Sequence, residues 1–238
     1  IYLHQFSSCK HKRSMPLFYT QNINETTRLA VWHITEPEAF FNKIYIPRHE
    51  ISHPHKRLQH LAGRFLLCLL DAAFPVNKIQ LDGRRPYLPD NSYYFSISHC
   101  SDYAAAIVSR QFPVGIDVEL VAEKLLRLEK KFLNEPEQLL IRRKKTNLTM
   151  VSQLTLLWST KECMFKWYAK GNVDFRKDMA IKDYTLTGDA EGIASAHFGK
   201  EVDASCTTQF RFFDNLCLAW LAQPPHKKLN SKRPTEGL

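Results

Sequence analysis

Two short segments place acidic and basic residues at spacings that can do chemistry. The first is Gly115-Ile116-Asp117-Val118-Glu119. In a strand, successive side chains alternate between faces, so Val114, Ile116, Val118 and Leu120 point one way and Asp117 and Glu119 the other. Two carboxylates on one face can approach a single hard cation. The same pattern also describes a half-exposed strand with a solvated acidic face. The second segment is Trp158-Ser159-Thr160-Lys161-Glu162-Cys163-Met164-Phe165-Lys166. On a helix, Leu154, Leu157, Trp158, Phe165 and Tyr168 form an apolar stripe. Lys161 falls inside that stripe, while Glu162 and Lys166 lie i,i+4 beside it. An exposed Glu–Lys pair of this kind is worth only about 0.3–0.5 kcal/mol. A buried ammonium needs a partner, and a bound polyanion with its metal would be one.

Basic residues collect in the first half. Lys56, Arg57 and Arg64 share one predicted helix, and Arg57 and Arg64 are seven apart, hence on one side. Arg84 and Arg85 sit in the turn 83–87. Arginine suits phosphate because its donors come in pairs. Ser96-Ile97-Ser98-His99-Cys100 reads as a strand running into a polar turn, where His99 could offer a phosphate a hydrogen bond or a charge. Taken singly, each of these also reads as a solvated basic face or a turn residue.

The elements that must position these groups follow from periodicity and punctuation. Residues 29–34 read as a first strand, and Thr35 as the N-cap of a helix with Glu38 in the capping-box position. Residues 54–71 form a helix with Leu58, Leu61, Phe65 and Leu69 on one side. Residues 83–89 are a turn-rich connection. Strands are expected at 94–98, 103–109 and 114–120, and helices at 121–133 and 136–145, broken at Asn134-Glu135-Pro136. A long helix spans 151–170, with Gly171 as its C-terminal stop. Residues 181–187, 193–198, 208–213 and 216–222 read as a strand meander.

Composition bounds the possibilities. The chain has 238 residues, 44% of them hydrophobic and 24% charged, which suits a globular core. It contains no apolar run of transmembrane length, so no transmembrane helix is expected, and no signal-peptide pattern is read at the N-terminus. Cys9, Cys68, Cys100, Cys163, Cys206 and Cys217 form neither a CxxC pair nor a zinc-site spacing. They read as free thiols, which predicts a cytoplasmic location. The net charge of +9 attracts polyanions: nucleic acid, anionic membranes, phosphorylated small molecules or acidic proteins. A non-catalytic, basic nucleic-acid-binding protein is therefore the alternative from another class. Phe210-Arg211-Phe212-Phe213 is the best aromatic–basic candidate for it, although these rings are more simply core.

Taken together, the motifs resemble one family. HKRLQHLAGR, GRRPY, SISHC, GIDVE and WSTKECMFK stand in the order and rough spacing of the 4'-phosphopantetheinyl transferases, in the monomeric two-lobed type. The specific part is GIDVE with WSTKExxxK. The likeness runs from about Trp32 to Ala222, and KRLQHLAGR looks most like the siderophore-synthetase-activating branch. It implies an α+β fold of two similar lobes related by a pseudo-twofold, each an antiparallel sheet packed with a long helix. Residues 1–27 would be an N-terminal extension, 28–112 a first lobe binding coenzyme A phosphates, 113–223 a catalytic lobe, and 224–238 a flexible basic tail.

By the same resemblance, Asp117, Glu119 and Glu162 match the Mg²⁺ ligands, and Lys166 matches the lysine at the phosphate next to the scissile bond. Lys161 matches the lysine before the metal-binding glutamate. Arg85, Ser98 and His99 match groups that contact coenzyme A, and Arg57 and Arg64 match helix positions near its 3'-phosphate. The implied reaction moves the phosphopantetheine arm of coenzyme A onto a serine of an apo carrier protein and releases 3',5'-adenosine bisphosphate. Glu162 or a Mg²⁺-bound water is the base, a choice left open. The expected partner is an acidic carrier protein, docked by a monomer through the Lys/Arg-rich stretch 130–145, with Phe132 and Leu133 as its apolar contacts. No nucleic-acid or membrane partner is expected.

Overall fold

The computed structural model of the protein describes residues 16–47, 50–83 and 85–224. Arg84 of the expected basic turn lies outside them, as do most of the expected N-terminal extension and basic tail. In chain order the elements are β1 (Leu17–Asn24), β2 (Thr27–His33), α1 (Glu38–Phe41), α2 (Pro54–Leu70), β3 (Gln80–Asp82), β4 (Arg85–Tyr87), β5 (Tyr94–Cys100), β6 (Tyr103–Ser109), β7 (Val114–Leu120), α3 (Lys124–Phe132), α4 (Glu135–Arg143), α5 (Met150–Tyr168), β8 (Met179–Leu186), β9 (Glu191–Gly199), β10 (Asp203–Phe213) and β11 (Leu216–Ala222).

Period-two alternation builds four layers. The first sheet runs β1-β2-β6-β5 and the second β7-β11-β10-β9-β8, both antiparallel. Along β2 and β6, Ala30, Trp32, Ala104, Ala106 and Val108 face α2, whose Leu61, Ala62, Leu66 and Leu67 cover them. The alternate residues Leu29, Val31, Ala105 and Ile107 meet Val114, Ile116 and Val118 of β7 and Leu216, Leu218 and Trp220 of β11. The other face of the second sheet packs on α5, whose Leu154, Leu156, Leu157, Cys163, Met164 and Trp167 are buried. The order is thus helix, sheet, sheet, helix: an α+β fold in which each antiparallel sheet carries a long helix.

Where the two sheets meet, edge strand faces edge strand. β5 ends the first sheet and β7 the second. Unpaired edges expose backbone donors, and here side chains of β5 satisfy them. Ile116 N donates to Ser96 Oγ at 3.2 Å, and Leu120 N to Cys100 Sγ at 3.4 Å.

Several local expectations are corrected. Residues 17–24, assigned to the extension, form β1, an edge strand with one face half covered, so its polar sequence carries little hydrophobic period. β1 also reaches the second sheet: Phe18 and Tyr19 meet Phe213, and Arg211 Nη1 donates to Tyr19 Oη at 3.1 Å. Thr35 does not cap α1, which follows Pro37 without a side-chain cap. Tertiary partners hold the nearby acids instead: Glu36 accepts from Trp32 Nε1, and Glu38 accepts from Arg57. The 83–89 connection is part of a small β3–β4 hairpin. The α5 terminus is closed by Ala169, at φ 64°, rather than by Gly171. Phe210 and Phe212 lie in the core, so they offer no exposed stacking ladder.

Candidate active site

The glycine of the acidic motif lets helix and strand approach. A Cβ on Gly115 would sit 2.0 Å from the Cys163 carbonyl oxygen, so only glycine lets α5 lie this close to β7. That approach brings Glu162 and Lys166 down onto the face of β7 that carries Asp117 and Glu119, as the strand alternation requires.

Asp117 is 4% exposed. Its Oδ1 accepts from Ser98 Oγ at 2.8 Å and from Lys166 Nζ at 2.8 Å, while its buried Oδ2 has no partner among the described residues. Lys166 Nζ also donates to Ser98 Oγ and to the Ile116 carbonyl, both at 3.0 Å. Burial alone would lower the Lys166 ammonium, but the Asp117 and Glu162 carboxylates outweigh it and raise its pKa. Two residues along, Glu119 Oε1 accepts from Lys124 Nζ at 2.8 Å and from Cys100 Sγ at 3.3 Å. Burial pushes the Cys100 thiol up to about 11, so it is a protonated donor. The Glu162 carboxyl is pushed up to about 7, first by burial and then by the Asp117 and Glu119 charges, with Lys166 opposing. The three acids therefore feel one another. Among the described residues, however, no three His, Cys, Asp or Glu side chains are drawn onto one point tightly enough to hold a metal ion. Lys166 and Lys124 carry the positive charge at this cluster.

Further basic residues interact in a chain with Lys166. His99 lies beside Lys166, and burial, ahead of the Lys166 charge, lowers its pKa. His60 is lowered to about 4 by burial, then by Arg64 and His99. Arg64 is 6% exposed. Its Nη1 lies 3.1 Å from His60 Nδ1, its guanidinium is 5.4 Å from the centre of the Tyr45 ring, and its buried Nε has no partner among the described residues. Lys166 also lines a cavity of about 470 Å³. Its walls include Arg85, Tyr87, Tyr93, Phe95, Lys166 and Lys170.

Two expected ligand-binding residues are committed elsewhere. Lys161 is fully buried, and its ammonium donates to Glu137 Oε2 at 2.7 Å and to the carbonyls of Phe132, Phe175 and Met179. Its partner is therefore internal, and no bound polyanion is needed to explain it. Arg57 grips Glu38 at 2.7 Å and the Ile51 carbonyl at 2.7 Å, tying α1 and the loop before α2 to α2.

Residues 113–220 match a family model described as the 4'-phosphopantetheinyl transferase superfamily. This segment of the chain is similar to that superfamily. Asp117, Glu119, Glu162 and Lys166 all fall inside it, whereas Arg57, Arg64, Arg85, Ser98 and His99 precede it. Among curated proteins, the chain is 32% identical over 87 residues to "4'-phosphopantetheinyl transferase gsp" of Aneurinibacillus migulanus, covering 37% of this chain and 35% of the relative. It is 31% identical over 134 residues to "Enterobactin synthase component D" of Salmonella austin, covering 53% and 55%. To the protein of the same name from Escherichia coli K12 it is 33% identical over 135 residues, covering 55% and 61%. The chain thus spans between about a third and three-fifths of the length of these relatives.

Cys100, Lys124, His60, Tyr45 and Lys170 have no role that follows from the sequence alone. Cys100 was accessible in principle, since Ser96, Ser98 and Cys100 alternate on one face of β5. Lys124 and Lys170 carried no signal, because only the packing of α3 and the end of α5 brings them to the site.

Proposed function

We propose that the protein transfers the 4'-phosphopantetheine arm of coenzyme A to a serine of an apo carrier protein and releases 3',5'-adenosine bisphosphate. The observation that carries this reading is the Ser98–Asp117–Lys166 knot at the meeting of the two sheets, beside Glu162 and with one Asp117 oxygen unpartnered. The division into a coenzyme A-binding lobe and a catalytic lobe falls at Phe112-Pro113, between β6 and β7, with β1 joining the first lobe.

Asp117, Glu119 and Glu162 would hold Mg²⁺. Their chemistry fits, being an all-oxygen donor set for a hard cation with a buried unpartnered carboxylate oxygen and mutual repulsion that a cation relieves. When bound, Mg²⁺ neutralises phosphate charge. Lys166 presents an ammonium for the phosphate next to the scissile bond. Arg85, His99 and Arg64 offer charge and hydrogen bonds to the remaining phosphates. The carrier serine Oγ attacks the β-phosphorus of coenzyme A, the phosphorus–oxygen bond to 3',5'-adenosine bisphosphate breaks, and the serine proton leaves. Glu162, whose carboxyl group faces Asp117 and Glu119, is the side chain we assign to accept that proton. The free thiols Cys68, Cys100, Cys163, Cys206 and Cys217 suit a reducing, cytoplasmic setting. No helix among the described residues is long and apolar enough to cross a membrane. We read the enzyme as a monomer.

Intact-mass analysis tests the proposal. An apo carrier protein incubated with enzyme, Mg²⁺ and coenzyme A should gain one phosphopantetheine. No gain across a panel of acyl and peptidyl carriers overturns it.

A further inference from the structure

Beside the acidic cluster, the thiol of Cys100 makes two contacts with consecutive residues of β7. The Leu120 N–H donates to Sγ at 3.4 Å, and Sγ donates to Glu119 Oε1 at 3.3 Å. The backbone donor holds the sulfur, so the S–H is aimed at the carboxylate. Two residues back, Ser98 Oγ donates to Asp117 Oδ1 at 2.8 Å. In both cases a side chain of β5 and a lysine share one carboxylate oxygen: Ser98 and Lys166 on Asp117 Oδ1, Cys100 and Lys124 on Glu119 Oε1. The remaining Asp117 oxygen has no partner among the described residues, and its residue is 4% exposed and lies on the same strand face.

The two lysines differ. The Lys166 side chain is 22% exposed and anchored by three acceptors, whereas that of Lys124 is 54% exposed and has Glu119 as its ion-pair partner. A divalent cation arriving at the acids competes directly with Lys124 for Glu119, and an exposed ion pair resists weakly. Once Lys124 yields, Cys100 is the contact that still orients the carboxylate.

We propose that Cys100 is a positioning residue, holding Glu119 in the orientation that a hard divalent cation requires; this rests on the cation site proposed above. The thiol touches neither substrate nor cation and acts through Glu119 alone.

Titration of the coenzyme A-free protein with Mn²⁺ by calorimetry, alongside thermal unfolding without metal, tests this. Cys100→Ala should weaken Mn²⁺ binding roughly three- to ten-fold, the worth of one modest hydrogen bond. Cys100→Ser, which keeps a donor, should stay within about two-fold of the parent. A Cys100→Ala variant that binds Mn²⁺ like the parent overturns the inference, even if it melts earlier. Equal weakening in the Ala and Ser variants overturns it too, because sulfur bulk rather than the donor would then matter. Asp117→Asn separates the two levels. If it also binds Mn²⁺ normally, the cation site itself is wrong. If it loses Mn²⁺ while Cys100→Ala does not, only the role of Cys100 falls.

Discussion

Glu162 and Lys161 are neighbours in sequence and opposites in environment. Lys161 points into the core and finds a carboxylate with three carbonyls. Glu162 faces β7 and finds two more acids. The cost of that placement is measurable. Glu162 is pushed up from 4.5 to about 7, so between those values the folded protein holds a proton that the unfolded chain has released. Stability must therefore fall as pH rises from about 4.5 to about 7, by on the order of 3 kcal/mol from this group. Glu162→Gln should remove that slope and stabilise the metal-free protein at pH 8, as followed by chemical denaturation across pH. A variant with the parent's slope would show that another group carries it.

Between elements, the Lys161–Glu137 pair acts as a rivet. Glu137 already completes the capping box of α4 with Asn134, and its Oε1 accepts from Ile181 N of β8 at 2.8 Å. The ammonium thus joins α5 to the start of α4, to the end of α3 and to the segment entering β8. Removing one member of such a pair strands a buried charge, which typically costs about 3–5 kcal/mol. Lys161→Met should lower the thermal midpoint by more than about 6 °C in a chain of this size. A shift within about 1 °C would mean the charges are compensated by solvent. The rivet holds the helix that presents Glu162 and Lys166, so it serves the site without touching a ligand.

At the scale of the whole molecule, the proposed carrier-docking face needs revision. Phe132 and Leu133 are 2% and 0% exposed and belong to the core, so they cannot make the expected apolar contact. Leu126 and Leu139, at 43% and 48% exposure, are the apolar residues that α3 and α4 turn outward. Arg142 and Lys144 are engaged with Glu129 and Asp183, whereas Lys130, Lys131 and Arg143 stand exposed. Reversing these last three to glutamate should raise KM for an acidic carrier about ten-fold or more at low salt and leave KM for coenzyme A within two-fold. Added salt should erode the parent's advantage, because exposed charges are screened beyond about 8–10 Å. An unchanged carrier KM would place docking elsewhere.

What the sequence determined by itself was whatever depends on local period and chemistry. Alternation put Asp117 and Glu119 on one face of β7, i,i+4 spacing put Glu162 and Lys166 together, and the misplaced Lys161 announced a buried partner. The two long helices and most strands were legible for the same reason. What only the tertiary structure decided was which distant group answers each charge. Lys161 is answered by Glu137 rather than by a ligand, Arg57 by Glu38, Asp117 by Ser98 and Lys166, and Glu119 by Cys100 and Lys124. β1 was missed because an edge strand with one half-covered face has little need of hydrophobic period. Charge and hydrogen-bond partners are chosen by proximity in space, and the two sheet edges that create this site are brought together only when both apolar faces between them are buried.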